Sequence, residues 1–151
     1  MNTARVRKAT LEDLSQLATL FDKYRIFYRK ASDLEGATRF LSERITRKES
    51  EIFVAEAEGK IVGFTQLYPQ FSSTRIKRSW LLNDLYVLES WRAKGIAKLL
   101  LEAAKQLARD TNAAGLLLET EKTNMIGNRL YPAAGFSIYD QTNFYWWDNN
   151  A

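Results

Sequence analysis

The chain has 151 residues, 46% of them hydrophobic and 26% charged, with a net charge of +4; that is the size and composition of one ordinary globular domain. It contains no Cys and no His, which excludes disulfides, thiolate nucleophiles and imidazole bases and leaves any zinc site dependent on carboxylates alone. Acid–base chemistry must therefore come from Asp, Glu, Tyr, Lys, an amino group or water, and the small cation excess suits either an anionic ligand or simply a solvated surface.

No apolar run approaches the ~20 residues of a membrane span, and the stretch from Met1 to Lys8 lacks the apolar core of a signal peptide. A cytoplasmic protein without membrane contact is expected, folded as a single domain over residues 1–151. Arg5 to Ala9 reads as a short edge strand. Thr10 reads as an N-cap with Asp13 as the capping acid, followed by Leu11, Leu14, Leu17, Ala18, Phe21 and Tyr24 at helical spacing. A second helix is predicted from Leu34 to Thr46, burying Ala37, Phe40, Leu41 and Ile45. Ile52 to Ala57 and Lys60 to Tyr68 read as a hairpin around Glu58-Gly59. A Ser/Thr-rich loop, Gln70 to Thr74, leads to a strand from Ser79 to Val87 that is apolar on both faces, as a strand covered on both sides should be.

Gly95 to Arg109 shows the clearest helical stripe: Ile96, Leu99, Leu100, Ala103, Leu107 and Ala108, with Lys98, Glu102, Lys105, Gln106 and Arg109 outside. Leu116-Leu117-Leu118 then forms a short strand. Strand, helix, strand implies a right-handed crossover between parallel strands. A shorter helix from about Asn124 to Ala134 stops at Gly135. Phe136 to Tyr139 and Asn143 to Trp147 close the chain as two strands. Phe144-Tyr145-Trp146-Trp147 is too aromatic for a free edge and is either core or a subunit contact, the latter implying a homodimer.

The segment between the third long strand and the long helix reads Val87-Leu88-Glu89-Ser90-Trp91-Arg92-Ala93-Lys94-Gly95-Ile96-Ala97. Small residues at 93, 95 and 97 let a ligand come close to the backbone. The first amides of the helix have no intrahelical partner and sit at its positive end, which suits a phosphate. Arg92, Lys94 and Lys98 add charge. The pattern is neither a Walker A loop nor a three-glycine dinucleotide fingerprint.

In these residues the chain resembles the GNAT superfamily of acetyl-CoA-dependent N-acetyltransferases. The family carries Arg/Gln-x-x-Gly-x-Gly/Ala at a helix start; here Arg92, Gly95 and Ala97 fill those positions. A second element, a helix opening with Asn and ending in Leu-Tyr-x-x-x-Gly-Phe, is matched by Asn124 and by Leu130-Tyr131-Pro132-Ala133-Ala134-Gly135-Phe136. The resemblance implies an α/β acyl-CoA N-acyltransferase fold: a mixed, mostly antiparallel sheet with a parallel βαβ coenzyme-binding core. It implies that acetyl-CoA is the co-substrate, that no metal is used, and that the acceptor is a small amine or a protein amino group rather than nucleic acid. It implies roles as well. Backbone groups of Leu85, Tyr86 and Val87 run beside the pantetheine arm and hold the thioester carbonyl. Arg92, Ala93, Lys94, Gly95, Ile96, Ala97 and Lys98 hold the pyrophosphate. Asn124 contacts the coenzyme arm, and Tyr131 protonates the departing thiolate. The family's Glu or His base before Val87 is replaced here by Asn83-Asp84.

Without Cys or His, a covalent acetyl-enzyme is not expected, and direct transfer in a ternary complex is. Asp84 is a carboxylate in an otherwise apolar strand. Burial raises such a group's pKa toward that of a useful base; the alternative is a structural carboxylate bonded to backbone or Arg. Tyr24, Arg25, Phe27, Tyr28, Arg29 and Lys30 form an aromatic and basic cluster that either borders the acceptor pocket or belongs to the core. A non-catalytic acyl-CoA-binding module is the competing function.

Overall fold

A short strand at Arg5–Lys8 (β1) pairs antiparallel with Glu51–Ala57 (β2), with Arg7 opposite Val54. The computed structural model describes residues 3–150; Met1, Asn2 and Ala151 lie outside it. After Thr10, a single 3-10 turn, Leu11–Asp13, leads into α1, Leu14–Phe27. Asp13 does the capping expected of it: its Oδ2 accepts from the Thr10 amide at 2.8 Å. It also receives both arms of the Arg7 guanidinium, at 2.9 and 2.8 Å.

The Arg7 guanidinium holds the Asp13 carboxyl below the usual carboxylate range, with burial opposing and the Thr10 amide assisting. A carboxylate with a depressed folded pKa contributes stability that is fully present above its unfolded value, about 3.9. That stability is lost as pH falls through the folded pKa. Asp13→Asn should therefore cost about 1–3 kcal/mol at neutral pH, the range for breaking a buried charged hydrogen bond. Urea melts of both proteins should show the deficit shrinking in acid; a deficit independent of pH would remove the ion pair as its cause.

The second helix, α2, spans Leu34–Thr46 as the spacing predicts, capped by Asp33, whose Oδ1 accepts from the Gly36 amide at 2.9 Å. Ala37 and Leu41 are buried, whereas Phe40 is 38% exposed and stacks on Phe21. The connection between α1 and α2 is fixed by buried Asp22, which accepts from Ser32 Oγ at 2.6 Å and the Asp33 amide at 2.7 Å.

Five strands form one sheet in the order β1-β2-β3-β4-β5, where β3 is Lys60–Ser72, β4 is Lys77–Val87 and β5 is Leu116–Leu118. All neighbours are antiparallel except β4 and β5, which are parallel and joined through α3, Ile96–Asp110. The hairpin turn at Glu58 and Gly59 has both residues at positive φ, 52° and 75°, as the twist of a tight hairpin demands. The predicted loop from Gln70 to Thr74 is a correction: β3 continues to Ser72, with Phe71 opposite Arg78. The Arg78 guanidinium lies 5.4 Å from the Phe71 ring and 5.2 Å from that of Trp80, a cross-strand gain that the polar sequence does not announce.

One face of the sheet, with Ile52, Val54, Ile61 and Phe64, packs against Leu17, Leu20, Phe21, Ala37 and Leu41 of α1 and α2. Ala55, Ala57, Val62 and Val87 pack with Ile96 and Leu100 of α3. Gly63 lets β3 and β4 lie close, since a Cβ there would meet the Tyr86 carbonyl at 3.1 Å and Val87 Cγ2 at 3.3 Å. The buried stripe of α3 is Ile96, Leu100, Leu101, Ala104 and Leu107, while Leu99 is 44% exposed. With Leu at 99, 100 and 101, composition alone cannot centre the stripe; packing on the sheet does.

The chain divides into two compact units, the first ending at Glu119 and the second beginning at Thr120. The second unit contains α4, Met125–Ala133, close to the predicted limits. Its described residues include no strand, so Phe136 to Tyr139 and Asn143 to Trp147 are corrections. Phe144, Tyr145, Trp146 and Trp147 are 69–90% exposed, which also corrects the core reading of that segment. High β-propensity is a preference for a pleated, half-buried surface and does not make a strand without a partner.

Candidate active site

The end of β4 and the start of α3 are joined by a 3-10 turn, Glu89–Trp91, and the extended residue Arg92. Ala93 and Gly95 both have positive φ, 61° and 81°. Gly95 tolerates this without cost, whereas Ala93 is held there against its preference. A Cβ built on Gly95 meets nothing within 4 Å, so the backbone at this point is open. Ile96, Ala97 and Lys98 open α3, and their amides have no carbonyl one turn earlier. This is an open stretch of backbone at the positive end of a fifteen-residue helix. Lys94 and Lys98 are exposed.

Arg92 also makes contacts within the chain. Its Nε donates to the Val87 carbonyl at 2.9 Å, and its guanidinium lies over Tyr86 at 5.4 Å and Phe27 at 5.9 Å. The side chain thus ties the turn to the end of β4 and to the end of α1.

Within β4, Gln66 pairs with Asp84 but Leu67 pairs with Leu82, so Asn83 is an extra residue in the ladder. Simple alternation puts Leu82, Asp84 and Tyr86 on one face; the bulge at Asn83 changes that. Residues 66 and 67 of β3 point to opposite faces, and so must their partners Asp84 and Leu82. Leu85 and Val87 belong to the α3 layer, and Tyr86 packs toward α1 and α2.

Asp84 is 3% exposed. Its Oδ2 accepts from Gln66 Nε2 at 2.6 Å and its Oδ1 from Asn83 Nδ2 at 3.0 Å. Burial pushes the Asp84 carboxyl up from the usual range, and hydrogen bonds from Gln66, Tyr24 and Asn83 oppose the shift. The bulge carbonyls are also held by side chains: Tyr24 Oη donates to Asn83 O at 3.1 Å and Thr65 Oγ1 to Asp84 O at 2.8 Å. Gln66 is fixed in turn by Ser50 Oγ, which donates to its Oε1 at 2.8 Å. The Tyr68 hydroxyl is pushed up by burial and by the charge of Asp84, with Arg44 opposing.

The second unit carries Asn124 and Tyr131. Asn124 caps α4: its Oδ1 accepts from the Gly127 amide at 3.0 Å and its Nδ2 donates to Thr120 Oγ1 at 2.9 Å. Tyr131 is half-buried, with its ring edge-on to Phe136 at 6.0 Å. The Phe136 amide donates to the Tyr131 carbonyl at 3.0 Å, and Gly135 takes φ 95°, closing the helix as expected.

Sequence reasoning missed Thr65, Gln66 and Ser50. The signal was present: Thr65 and Gln66 are adjacent polar residues inside an apolar strand, and both are fully buried, where polar groups must find partners. Tyr24 was singled out, but its bond to a residue 59 positions away was not foreseeable.

The model of the Acetyltransferase (GNAT) family matches residues 17–136. An uncharacterized N-acetyltransferase of Bacillus subtilis is 47% identical over 131 residues, covering 87% of this chain and 88% of that protein. A crystal structure described as that of "a probable acetyltransferase" superposes with a TM-score of 0.91 at 42% identity, covering 95% of this chain and 97% of that one. An aminoglycoside N-acetyltransferase solved with CoA shares the fold, with a TM-score of 0.81 at 20% identity over 96% of this chain and 95% of that one. The chain belongs to the GNAT family and is an acetyltransferase of that type.

Proposed function

We propose that this acetyltransferase moves the acetyl group of acetyl-CoA directly to a primary amine within a ternary complex. The observation that carries the reading is the turn between β4 and α3. Ala93 and Gly95 are held at positive φ, the Gly95 Cβ position is open, and the amides of Ile96, Ala97 and Lys98 begin a long helix. That open turn suits a pyrophosphate. Leu85, Tyr86 and Val87 supply the strand backbone for the pantetheine arm and the thioester carbonyl, where a fixed amide stabilises the developing oxyanion. Asp84 is the base for the amine's proton, which reaches it through an intervening group because the carboxylate is buried. Asn124, half-buried and capping α4, contacts the coenzyme arm. Tyr131 gives a proton to the thiolate. Holding two substrates together supplies much of the acceleration, which a chain without Cys or His needs.

The acceptor is a small amine or an exposed protein amino group, and the enzyme acts in the cytoplasm. No helix among the described residues is long and apolar enough to cross a membrane. The exposed aromatic segment Phe144 to Trp147 supports a homodimer; sedimentation of the wild type and of Trp146→Ser checks it.

Gly95→Trp tests the coenzyme turn. The positive φ makes any side chain there cost about 1–2 kcal/mol, while the open space avoids a clash. The variant should stay folded, with acetyl-CoA affinity measured by calorimetry weaker by at least about tenfold, or 1.4 kcal/mol. Unchanged affinity in a folded variant would remove the turn as the pyrophosphate site. Thiol release from acetyl-CoA with a panel of polyamines, amino acids, aminoglycosides and lysine peptides tests turnover. Coenzyme binding without thiol release from any of them would favour the non-catalytic module.

A further inference from the structure

Buried at 3% exposure, Asp84 cannot itself meet an amine in this structure. Gln66 and Asn83 donate to its carboxylate at 2.6 and 3.0 Å, and hydrogen bonding by these two and by the Tyr24 hydroxyl opposes the upward shift of its pKa. Two of these are carboxamides, which donate a hydrogen bond but cannot give up a proton and take another near neutral pH. The Tyr24 hydroxyl can do both. Tyr24 is half-buried, with ring centroids of Phe21, Tyr28, Phe64 and Tyr86 at 6.2, 5.1, 5.9 and 6.3 Å. Packing fixes the ring and so the position of the hydroxyl. The hydroxyl donates to the carbonyl of Asn83 at 3.1 Å, the residue next to Asp84 in β4, and its hydrogen bonding also lowers the Asp84 carboxyl.

We propose that Tyr24 is the proton relay between the acceptor amine and Asp84. The inference rests on Asp84 being the amine's base. The amine nitrogen bonds to the thioester carbonyl carbon. Its N–H bond then breaks, the electron pair stays on nitrogen, and the proton passes to Tyr24 Oη. In the same movement the original Tyr24 hydroxyl proton passes to an oxygen of Asp84. Tyr24 ends neutral, Asp84 ends protonated, and the C–S bond breaks to release the thiolate, which takes up a separate proton. The Asn83 carbonyl holds the hydroxyl proton when no amine is present.

The test is a double-mutant cycle with Tyr24→Phe, Asp84→Asn and the pair, using the amine that gives the fastest thiol release. Tyr24→Phe keeps the ring and so the aromatic packing. It should lower kcat by about 10²-fold with the KM for acetyl-CoA within about twofold, and the double variant should be no slower than the slower single one, because both groups move the same proton. Tyr24→Phe at wild-type speed, or losses that multiply in the double variant, overturns the relay. A slow Asp84→Asn beside a fast Tyr24→Phe overturns the relay alone, whereas a fast Asp84→Asn overturns the base on which it rests.

Discussion

Tyr131→Phe should lower turnover by about 10²–10⁴-fold, the range for a lost acid–base group, with acetyl-CoA affinity almost unchanged. The substitution removes one oxygen and nothing else. The ring stands edge-on to Phe136 at 6.0 Å, and the backbone around it is closed by the Phe136 amide on the Tyr131 carbonyl at 3.0 Å. Phe keeps both of these contacts, so the helix end should stay folded. A thiolate leaving without a proton donor must instead depart as the anion or wait for solvent, and that shows in kcat. Stopped-flow thiol release with saturating amine separates the chemical step from coenzyme binding. Turnover near the wild-type rate would assign Tyr131 to packing.

Asp84→Asn should keep coenzyme binding, lose most activity near neutral pH and recover part of it at high pH, where the free amine is already abundant. A base works only when ionised. Burial raises the Asp84 carboxyl, so in the wild type the acid limb of the rate profile should lie above the ordinary carboxylate range, and the substitution should abolish that limb. The stability consequence has the opposite sign from that of Asp13. A carboxyl whose folded pKa is raised contributes stability when protonated, below its unfolded pKa, and loses it as pH rises through the folded value. Removing the charge therefore relieves a burial penalty at neutral pH. Against that, the new amide cannot accept from both Gln66 Nε2 and Asn83 Nδ2, leaving one donor unpaired at a cost of about 1–3 kcal/mol. If Asp84 is structural, that second effect dominates: melting falls, and activity falls only with the folded fraction. A stable variant with an unchanged pH–rate profile would leave deprotonation to solvent.

What could be read from the sequence were the features set by neighbouring residues. The α2 helix follows from the Ala37, Phe40, Leu41 and Ile45 spacing; the β2–β3 hairpin from Glu58-Gly59; the start of α3 from the strand before it and the stripe after it. The bulge was not readable. Nothing in Leu82-Asn83-Asp84 says that Asn83 drops out of the ladder, because that depends on how β3 is paired across from it. The Tyr24–Asn83 bond was hidden for the same reason. The aromatic run at Phe144 to Trp147 misled because strand preference is local and pairing is not. The roles of Asn124 and Tyr131 came from the resemblance alone; spacing gives them a helix cap and a ring contact, and no chemistry.

The extra residue in β4 also fixes how the strand can be altered. Side chains on a strand obey a parity: even and odd positions face different layers. Asn83 resets that parity in mid-strand. Counting back from it, Trp80 and Leu82 fall on the face opposite Asp84, and Trp80 reaches the end of α3 through Thr111 at 2.9 Å. Counting forward, Asp84 and Tyr86 fall on the face toward α1. Exchanging Asn83 for another residue changes one side chain. Deleting it changes the phase of half a strand: either Trp80 and Leu82 must leave the α3 layer, or Asp84 must leave the polar pocket formed by Gln66 and Tyr24. At this position the chain tolerates spelling errors far better than errors of count.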